Sequence, residues 1–538
     1  MMTGYTHAAS SDWRITQPEW TDYHEAQFGQ FVTQLGKAVE ARKCATVADC
    51  LQSPANMYYG TDAPGIRYFS DCADLPYYLR AYFAWKNGLP FSIQTGLKAN
   101  PIPEGELPRD IRYSSYGNYV TSRYDVVSRR NSLRIVKYAD GVKVLNETLI
   151  NSISSGTFRM IGDSSGDVFT DFYPAKVDRG GIRPGTMIYD PNGHVAIIYK
   201  VTDQGRIFYI DAHPDNSLTM GLFTSKFMRS KPQQGAGFKN FRPTRLVDAK
   251  MDSSGAYIGG RIVGARNEEL SSYGVEQYYG NRPDPNGDWK QGQFVVNNQK
   301  VNFYDYVQLR LLIGELHIDP LYDMKAMMDD ICVNLKDRVA AVDAARAAGI
   351  HLKPHPVRLP ENIYGTDGDW EAYASPSRDA RLKTSFVDLL NQAKQAMDKY
   401  RRRDSSLAYN GGNLAKDLYG VYTQGATTCK FSYTTSSGKT LLMNMEAARQ
   451  RLFNMSFDPF HCPELRWGAR MPEEVASCQD DSNKRAWYNG EKWLRFQTER
   501  RYDQRMDYTV DQLTGPLPGV GVAAPPDVDI VTYLKSQM

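Results

Sequence analysis

The pattern of apolar residues changes near residue 302, and this change limits the folds open to the 538-residue chain more than any other feature. Residues 20–43 have the apolar spacing of a helix, and 98–125 has the composition of a loop. Between about 132 and 245, short apolar segments such as 134–138 and 186–189 alternate with turn residues, which is typical of strands. Beyond residue 302, apolar residues recur at helical spacing, in the segments 303–318, 322–348, 383–402, 441–453 and 481–507. We therefore predict an α+β part followed by a mostly α-helical C-terminal half.

Composition excludes several classes of protein. Apolar residues make up 41% and charged residues 23% of the chain, a balance that allows a folded core. The net charge of +3 argues against a surface built for nucleic acid. Apolar segments are too short for a transmembrane helix. The start, Met1–Tyr5, lacks the pattern of a signal peptide. We expect either a cytoplasmic protein or one whose leader is absent from this chain.

The chain has seven cysteines, an odd number. Cys44 and Cys50 are close in sequence, as are Cys462 and Cys478, and short loops close readily. By elimination Cys332 pairs with Cys429, which leaves Cys72 as a thiol. Disulfides persist in the periplasm or outside the cell. The alternative is seven unpaired core cysteines in a reducing compartment.

Three motifs resemble ligand sites but are incomplete. Ser436–Thr440 resembles the end of a phosphate-binding loop, yet Tyr433 stands where its first glycine is required. Asp284–Asp288 resembles part of a calcium loop without the later glutamate. His351 and His355 flank a proline in a loop and do not define a metal site. We therefore predict no metal and no cofactor.

Cys72 precedes a helical pattern at 75–87. Ser70, Asp71 and Asp74 are residue types favoured at helix N-termini. A cysteine at that end has its thiolate stabilised and its pKa lowered by the helix dipole. The alternative for Cys72 is a buried, inert cysteine.

A predicted hairpin brings a histidine and an aspartate together. Strands at 195–201 and 206–210 flank a short turn, and pairing of residues 201 and 206 would place His194 opposite His213. Asp211 is then one diagonal step from His194 on the same face. A cysteine nucleophile needs a base, and the base needs a group that holds its tautomer. His194 and Asp211 supply both.

Three motifs together resemble one enzyme class. Asp71–Leu75 before an aromatic helix, Arg183–Thr186 and Gly193–Ile197 resemble the NlpC/P60 and CHAP groups of bacterial papain-like amidases. The resemblance covers about residues 60–215, and Asp74 and Pro76 depart from it. It implies a papain-like fold and cleavage of peptide bonds in peptidoglycan.

Carried onto this chain, the resemblance implies Cys72 as nucleophile, His194 as base and Asp211 as orienting residue. His213 and Asp71 are expected to line the substrate site. A transglutaminase-like acyl transferase and an inactive binding or scaffold protein stay open as alternatives.

The predicted organisation has four parts, and the predicted location is periplasmic or extracellular, with the cytoplasm as alternative. The parts are an N-terminal helical segment at 1–59, a papain-like catalytic domain at 60–250, a Gly/Tyr-rich linker or cleft wall at 251–302, and a mostly helical domain at 303–538.

Overall fold

The computed structural model divides into two compact units. It describes residues 10–101, 110–162, 168–191, 193–213, 216–366, 368–501, 504–515 and 521–538. The first unit holds the described residues up to Phe223 and from Phe227 to Gly314; the second holds Thr224–Lys226 and the described residues from Glu315 onward. The first unit thus contains most of the described part of 1–302.

The first unit mixes helices and strands. Its helices are α1 (Asp22–Glu40), α2 (Val47–Leu51), α3 (Asp74–Lys86), α4 (Gly141–Lys143), α5 (Ile150–Ser152), α6 (Ser155–Phe158), α7 (Glu276–Tyr279) and α8 (Phe303–Leu311), with a π-helical turn at Val144–Leu149. Its strands are β1 (Asp12–Trp13), β2 (Ser92–Ala99), β3 (Asn118–Asp125), β4 (Arg129–Arg130), β5 (Val136–Lys137), β6 (Ala139–Asp140), β7 (Phe172–Pro174), β8 (Met187–Asp190), β9 (His194–Val201), β10 (Ile207–Ala212), β11 (Leu218–Leu222), β12 (Gly237–Phe241), β13 (Thr244–Val247), β14 (Lys250–Met251), β15 (Tyr257–Ile258), β16 (Arg261–Gly264), β17 (Phe294–Val296) and β18 (Gln299–Val301).

Six of these strands form an antiparallel sheet in the order β11-β10-β9-β8-β12-β7. Strand β9 lies inside this sheet, and Val195–Tyr199 is buried throughout. A strand covered on both faces is continuously apolar rather than alternating. Helix α1 covers β9 so closely that a Cβ on Gly36 would lie 2.1 Å from Cγ of Tyr199. Ala196 and Ile198 belong to the core cluster that includes residues of α8.

The second unit is mostly helical. Its elements are α9 (Pro320–Ala347), α10 (Gly368–Tyr373), α11 (Pro376–Arg402), α12 (Leu414–Thr428), β19 (Lys430–Thr434), β20 (Thr440–Asn444), α13 (Met445–Arg451), α14 (Pro463–Arg466), α15 (Pro472–Val475), α16 (Ser482–Gly490), α17 (Lys492–Arg495), α18 (Val510–Thr514) and α19 (Ile530–Ser536). A buried ion pair joins the two longest helices: the Arg338 guanidinium of α9 donates to both oxygens of Asp379 in α11, at 2.7 and 3.0 Å.

The mixed helix and strand content confirms the α+β class. The helices predicted at 20–43 and 75–87 are α1 and α3, and the strands predicted around His194 are β8, β9 and β10. In the second unit, the helices predicted at 322–348 and 383–402 are α9 and α11, although α11 begins earlier, at Pro376.

Several predicted boundaries are wrong for local reasons. The region 98–125, predicted as loop, contains β3, which pairs with β2 through an irregular register near Gly96. The strand predicted at 134–138 is only Val136–Lys137. The helix predicted at 441–453 begins at Met445, because Thr440–Asn444 is a strand and the Asn444 side chain caps the helix. The helices predicted at 303–318 and 481–507 end early, at Leu311 and Arg495.

All three predicted disulfides are present, with S–S distances of 1.98 Å for Cys44–Cys50, 2.06 Å for Cys332–Cys429 and 2.04 Å for Cys462–Cys478. Cys72 remains as a thiol. In the part of the chain that the structure describes, no helix is both long and apolar enough to span a membrane.

The bridges can be counted directly. Denatured protein from its native compartment should bind one equivalent of a thiol reagent, at Cys72, before reduction and seven after it. Its intact mass should rise by about 6 Da on reduction, because each bridge takes up two hydrogens. Seven reactive thiols before reduction would contradict the bridges.

Candidate active site

Cys72 lies in the first turn that leads into α3. Asp71 caps this turn: its Oδ1 accepts the backbone N–H groups of Ala73 (2.8 Å) and Asp74 (2.9 Å). The Leu75 N–H donates to the Asp71 carbonyl at 3.1 Å. This bond has the i→i−4 spacing of an α-helix, and Cys72 lies within the turn that it closes. Pro76 has no backbone N–H and so cannot donate a hydrogen bond to the Cys72 carbonyl. The regular helix begins at Asp74. Cys72 therefore sits at the positive end of α3, as predicted.

The thiol of Cys72 lies beside the start of β9. Its Sγ is 3.7 Å from the carbonyl oxygen of Gly193, the residue immediately before His194. Gly193 has φ +82° and closes the turn from β8 to β9, its N–H donating to the Asp190 carbonyl at 3.0 Å. A positive φ favours glycine. This turn thus brings the backbone next to His194 against the helix N-terminus that carries Cys72.

His194 and Asp211 form the central contact of the site. His194 Nε2 lies 2.7 Å from Asp211 Oδ2, and the two side chains are 12% and 7% exposed. Burial disfavours a charged carboxylate, but the hydrogen bond and positive charge from His194 outweigh it, so the pKa of Asp211 is lowered below its usual value. Because an ionised Asp211 can only accept, Nε2 carries the proton and Nδ1 of a neutral His194 carries the lone pair.

The predicted register is correct near His194 and wrong at the turn. Val201 pairs with Ile207, not with residue 206, and a bulge then shifts the register so that Ile197 pairs with Ile210. Continued toward the start of β9, this register places His194 opposite His213, as predicted. The bulge leaves Tyr199 without an opposite residue; its carbonyl accepts a hydrogen bond from the Thr33 hydroxyl of α1 at 3.0 Å.

Thr219 is a member of the site that the sequence analysis missed. It lies opposite Asp211 on β11, and its hydroxyl donates to Asp211 Oδ1. His213 Nε2 lies 3.1 Å from the same hydroxyl oxygen. Extending the predicted hairpin by one strand would have placed Thr219 beside Asp211. His213 thus reaches Asp211 through Thr219, and Asp71 caps α3; their predicted role in substrate binding stays a prediction.

The Cys44–Cys50 bridge closes a loop that supports this hairpin. The Ala45 carbonyl accepts the N–H of Leu218 at 2.8 Å, and Thr46 bridges to Ser217. The next residue back, Asn216, accepts the N–H of Ser70 on its side-chain oxygen at 3.0 Å. The loop therefore contacts the start of β11, which in turn contacts the segment that precedes Cys72.

A second group of chemically active side chains lies in the second unit. His355, Asp458 and Glu491 bring one potential ligand atom each within 4.8 Å of one another, and all three are buried. In the sequence, His355 stands close to His351 alone, and no pattern links it to Asp458 or Glu491. The one local signal is the spacing of Asp458 and His461, three residues apart. A further grouping, Cys462, Glu464 and Cys478, includes a disulfide.

Comparisons of the chain with protein-family models, with curated proteins and with solved structures found no match.

Asp74 provides a test of the electrostatics beside Cys72. Burial, together with the charge of Asp71, raises its pKa to about 8, and its Oδ1 has no hydrogen-bond partner among the described residues. An unfolded Asp ionises near pH 4, so folding stability should be full below that pH and fall as pH rises toward 8. Asp74→Asn, which stays neutral, should therefore unfold less readily than the native protein at pH 9, by about 1.4 kcal/mol per unit of pKa difference between the folded and unfolded states.

The two proteins should have nearly equal stability at pH 4, as measured by denaturant unfolding across the pH range. Asp22→Asn is the matched control, because Asp22 is also in the first turn of a helix but is exposed. An Asp74→Asn variant with the same pH dependence as the native protein would contradict the raised pKa.

Proposed function

We propose that the chain is a cysteine hydrolase that cleaves peptide (amide) bonds, with Cys72 as nucleophile, His194 as general base and Asp211 as the residue that orients His194. The observation that carries the proposal is the 2.7 Å bond from His194 Nε2 to Asp211, formed where the backbone before His194 meets the Cys72 thiol. A thiol at a helix N-terminus, a partly buried histidine and a buried carboxylate are the components that thiolate catalysis requires.

The proposed reaction uses the two ring nitrogens differently. Asp211 holds the Nε2 proton, so Nδ1 accepts the proton of the Cys72 thiol. The thiolate then attacks the carbonyl carbon of the amide, and the C–N bond breaks as His194 returns the proton to the leaving amine. This step leaves a thioester on Cys72. Water, deprotonated by His194, attacks the thioester, and the carboxylic acid and the thiol are released.

The substrate proposed is a peptide of bacterial peptidoglycan, and the place of action proposed is the periplasm or the outside of the cell. The support for the substrate is the resemblance carried by the motifs around Cys72 and His194. The support for the compartment is the set of three disulfides, which an oxidising environment maintains.

The reactivity of Cys72 can be tested without knowing the substrate. Alkylation of the native protein by iodoacetamide should label Cys72 with a pH profile whose midpoint lies below the value of about 8.5 for an ordinary thiol. His194→Gln removes the base and should move the midpoint upward. Tyr189, which interacts with this thiol, and the neighbouring Asp71 and Asp74 remain in both proteins.

His24→Gln serves as the matched control for the alkylation profiles, because His24 lies at the start of α1 and caps that helix. Its profile should equal that of the native protein. If His194→Gln leaves the midpoint unchanged as well, His194 does not act on Cys72.

The catalytic roles can be separated by substitution. Cys72→Ser should abolish the release of amino groups from soluble peptidoglycan fragments and leave the thermal midpoint nearly unchanged. Asp211→Asn should lower kcat by about 100-fold or more with a modest change in KM, because the wrong tautomer of His194 is then favoured. His213→Ala should have a smaller effect, since His213 hydrogen-bonds the Thr219 hydroxyl that donates to Asp211 and leaves the His194–Asp211 bond in place.

Four outcomes would redirect the assignment. Activity in Cys72→Ser would exclude Cys72 as nucleophile. Greater damage from His213→Ala than from Asp211→Asn would reverse the roles of these two residues. Incorporation of an added amine in place of hydrolysis would identify an acyl transferase. A protein whose Cys72 is labelled by iodoacetamide but which cleaves none of the peptide substrates would be identified as a binding protein.

A further inference from the structure

The second unit contains a connected group of five buried, ionisable side chains. His355, Asp458, His461 and Glu491 have side chains that are 0% exposed, and that of Asp480 is 1% exposed. They come from separate parts of the chain: the loop after α9, the segment before α14, the segment before α16 and the junction of α16 and α17. None of them takes part in the proposed cysteine chemistry, which lies in the first unit.

The tautomer of His355 follows from its neighbours. Its Nδ1 lies 2.7 Å from the carbonyl oxygen of Pro356, and a carbonyl can only accept, so Nδ1 carries a proton. In the neutral ring, Nε2 then presents a lone pair to Asp458 Oδ2, also at 2.7 Å. Two lone pairs at this distance repel each other unless a cation lies between or beside them.

His461 is arranged in the same way. Its Nδ1 donates to Asp480 Oδ2 at 2.9 Å, while its Nε2 has no hydrogen-bond partner among the described residues. This Nε2 is 3.5 Å from Glu491 Oε2 and 3.6 Å from Asp458 Oδ2. Neither carboxylate oxygen of Glu491 has a hydrogen-bond partner in the described part of the chain. A buried polar side chain left in this way is unfavourable.

We propose that His355, Asp458, His461 and Glu491 bind a divalent transition-metal ion, with Zn²⁺ as the best-suited ion. Two imidazole nitrogens and two carboxylates form a closed set of nitrogen and oxygen ligands, which zinc accepts in four-coordinate sites. The ion offsets the charges of Asp458 and Glu491 when both imidazoles are neutral. Ligands of a tetrahedral ion with bonds of about 2.0–2.1 Å lie about 3.3–3.4 Å apart.

The contacts of His461 with Asp458 and Glu491 are close to that spacing. The His355–Asp458 pair, at 2.7 Å, has to open by about 0.6–0.7 Å to reach it. The site is closed on all sides, so the ion holds the unit together and does not meet a substrate.

The surroundings orient both histidines in the manner of a second coordination shell. The Pro356 carbonyl and the Asp480 carboxylate hold the Nδ1 protons, which leaves both Nε2 atoms for a metal. Asp480 is itself held, because its Oδ1 accepts the N–H of Cys462 at 3.0 Å. The Cys462–Cys478 disulfide joins the residue next to His461 to a residue two positions before Asp480. His355 also stacks on Trp487, with ring centroids 4.1 Å apart.

Elemental analysis of the full-length protein tests the proposal. Protein produced in zinc-supplemented medium and separated from unbound metal should retain about one equivalent of zinc per chain. Glu491→Gln and His461→Gln should retain less than roughly one tenth of an equivalent. His351→Gln is the matched control, since His351 lies four residues before His355 outside the group, and it should keep the full equivalent.

X-ray absorption at the zinc edge of the native protein decides the question even if the variants fail to fold. The expected first shell contains only nitrogen and oxygen at about 2.0–2.1 Å, with the scattering of two imidazoles. Sulfur in the shell would overturn the proposal and place the ion at reduced Cys462 and Cys478. Native protein that holds no zinc after purification and takes up none from zinc chloride would also overturn the proposal. Protonated His355 and His461 would then balance the charges of Asp458 and Glu491.

Discussion

The burial of β9 on both faces is the constraint on which the first unit depends. Helix α1 covers one side at the contact of Gly36 with Tyr199, and the core cluster with residues of α8 takes Ala196 and Ile198 on the other. A strand held from both sides cannot slip by one residue without exchanging its two sets of side chains. The position of His194 at its first residue is therefore as well determined as the core itself, and a base placed there keeps its orientation.

The pattern of residues was sufficient to predict the hairpin, the three disulfides and the contact of His194 with Asp211. It did not predict the length of the turn or the bulge in the hairpin. The prediction paired residues 201 and 206, whereas the turn is one residue longer and the bulge at Tyr199 restores the expected register. The two deviations cancel at His194. The bulge depends on the Thr33 hydroxyl, which is 166 residues away in sequence, and on the space that Gly36 leaves for the Tyr199 ring. Local pairing rules contain neither contact.

Asp74 and Pro76, which depart from the resembling families, are compatible with a reactive thiol for physical reasons. Pro76 removes only the hydrogen bond to the Cys72 carbonyl, and Asp71 still caps the turn, so the N-terminal end of α3 remains at Cys72. A charged Asp74 would oppose formation of a thiolate two residues away. Because burial beside Asp71 raises the pKa of Asp74 to about 8, the residue is mostly neutral at pH 7, and the opposing charge is largely absent.

Histidines and carboxylates have opposite environments in the two units, and access to water explains the difference. His194 is partly exposed and bonds the Asp211 carboxylate, an arrangement that suits the base proposed here, which exchanges protons with a substrate. His355 and His461 are fully enclosed, and each already donates its Nδ1 proton. In the proposed site, their Nε2 lone pairs bind the metal ion. The sequence could not show this, because the four residues span 355–491 and only the fold brings them into contact. In the two functions proposed, the same residue types therefore serve catalysis in the first unit and stability in the second.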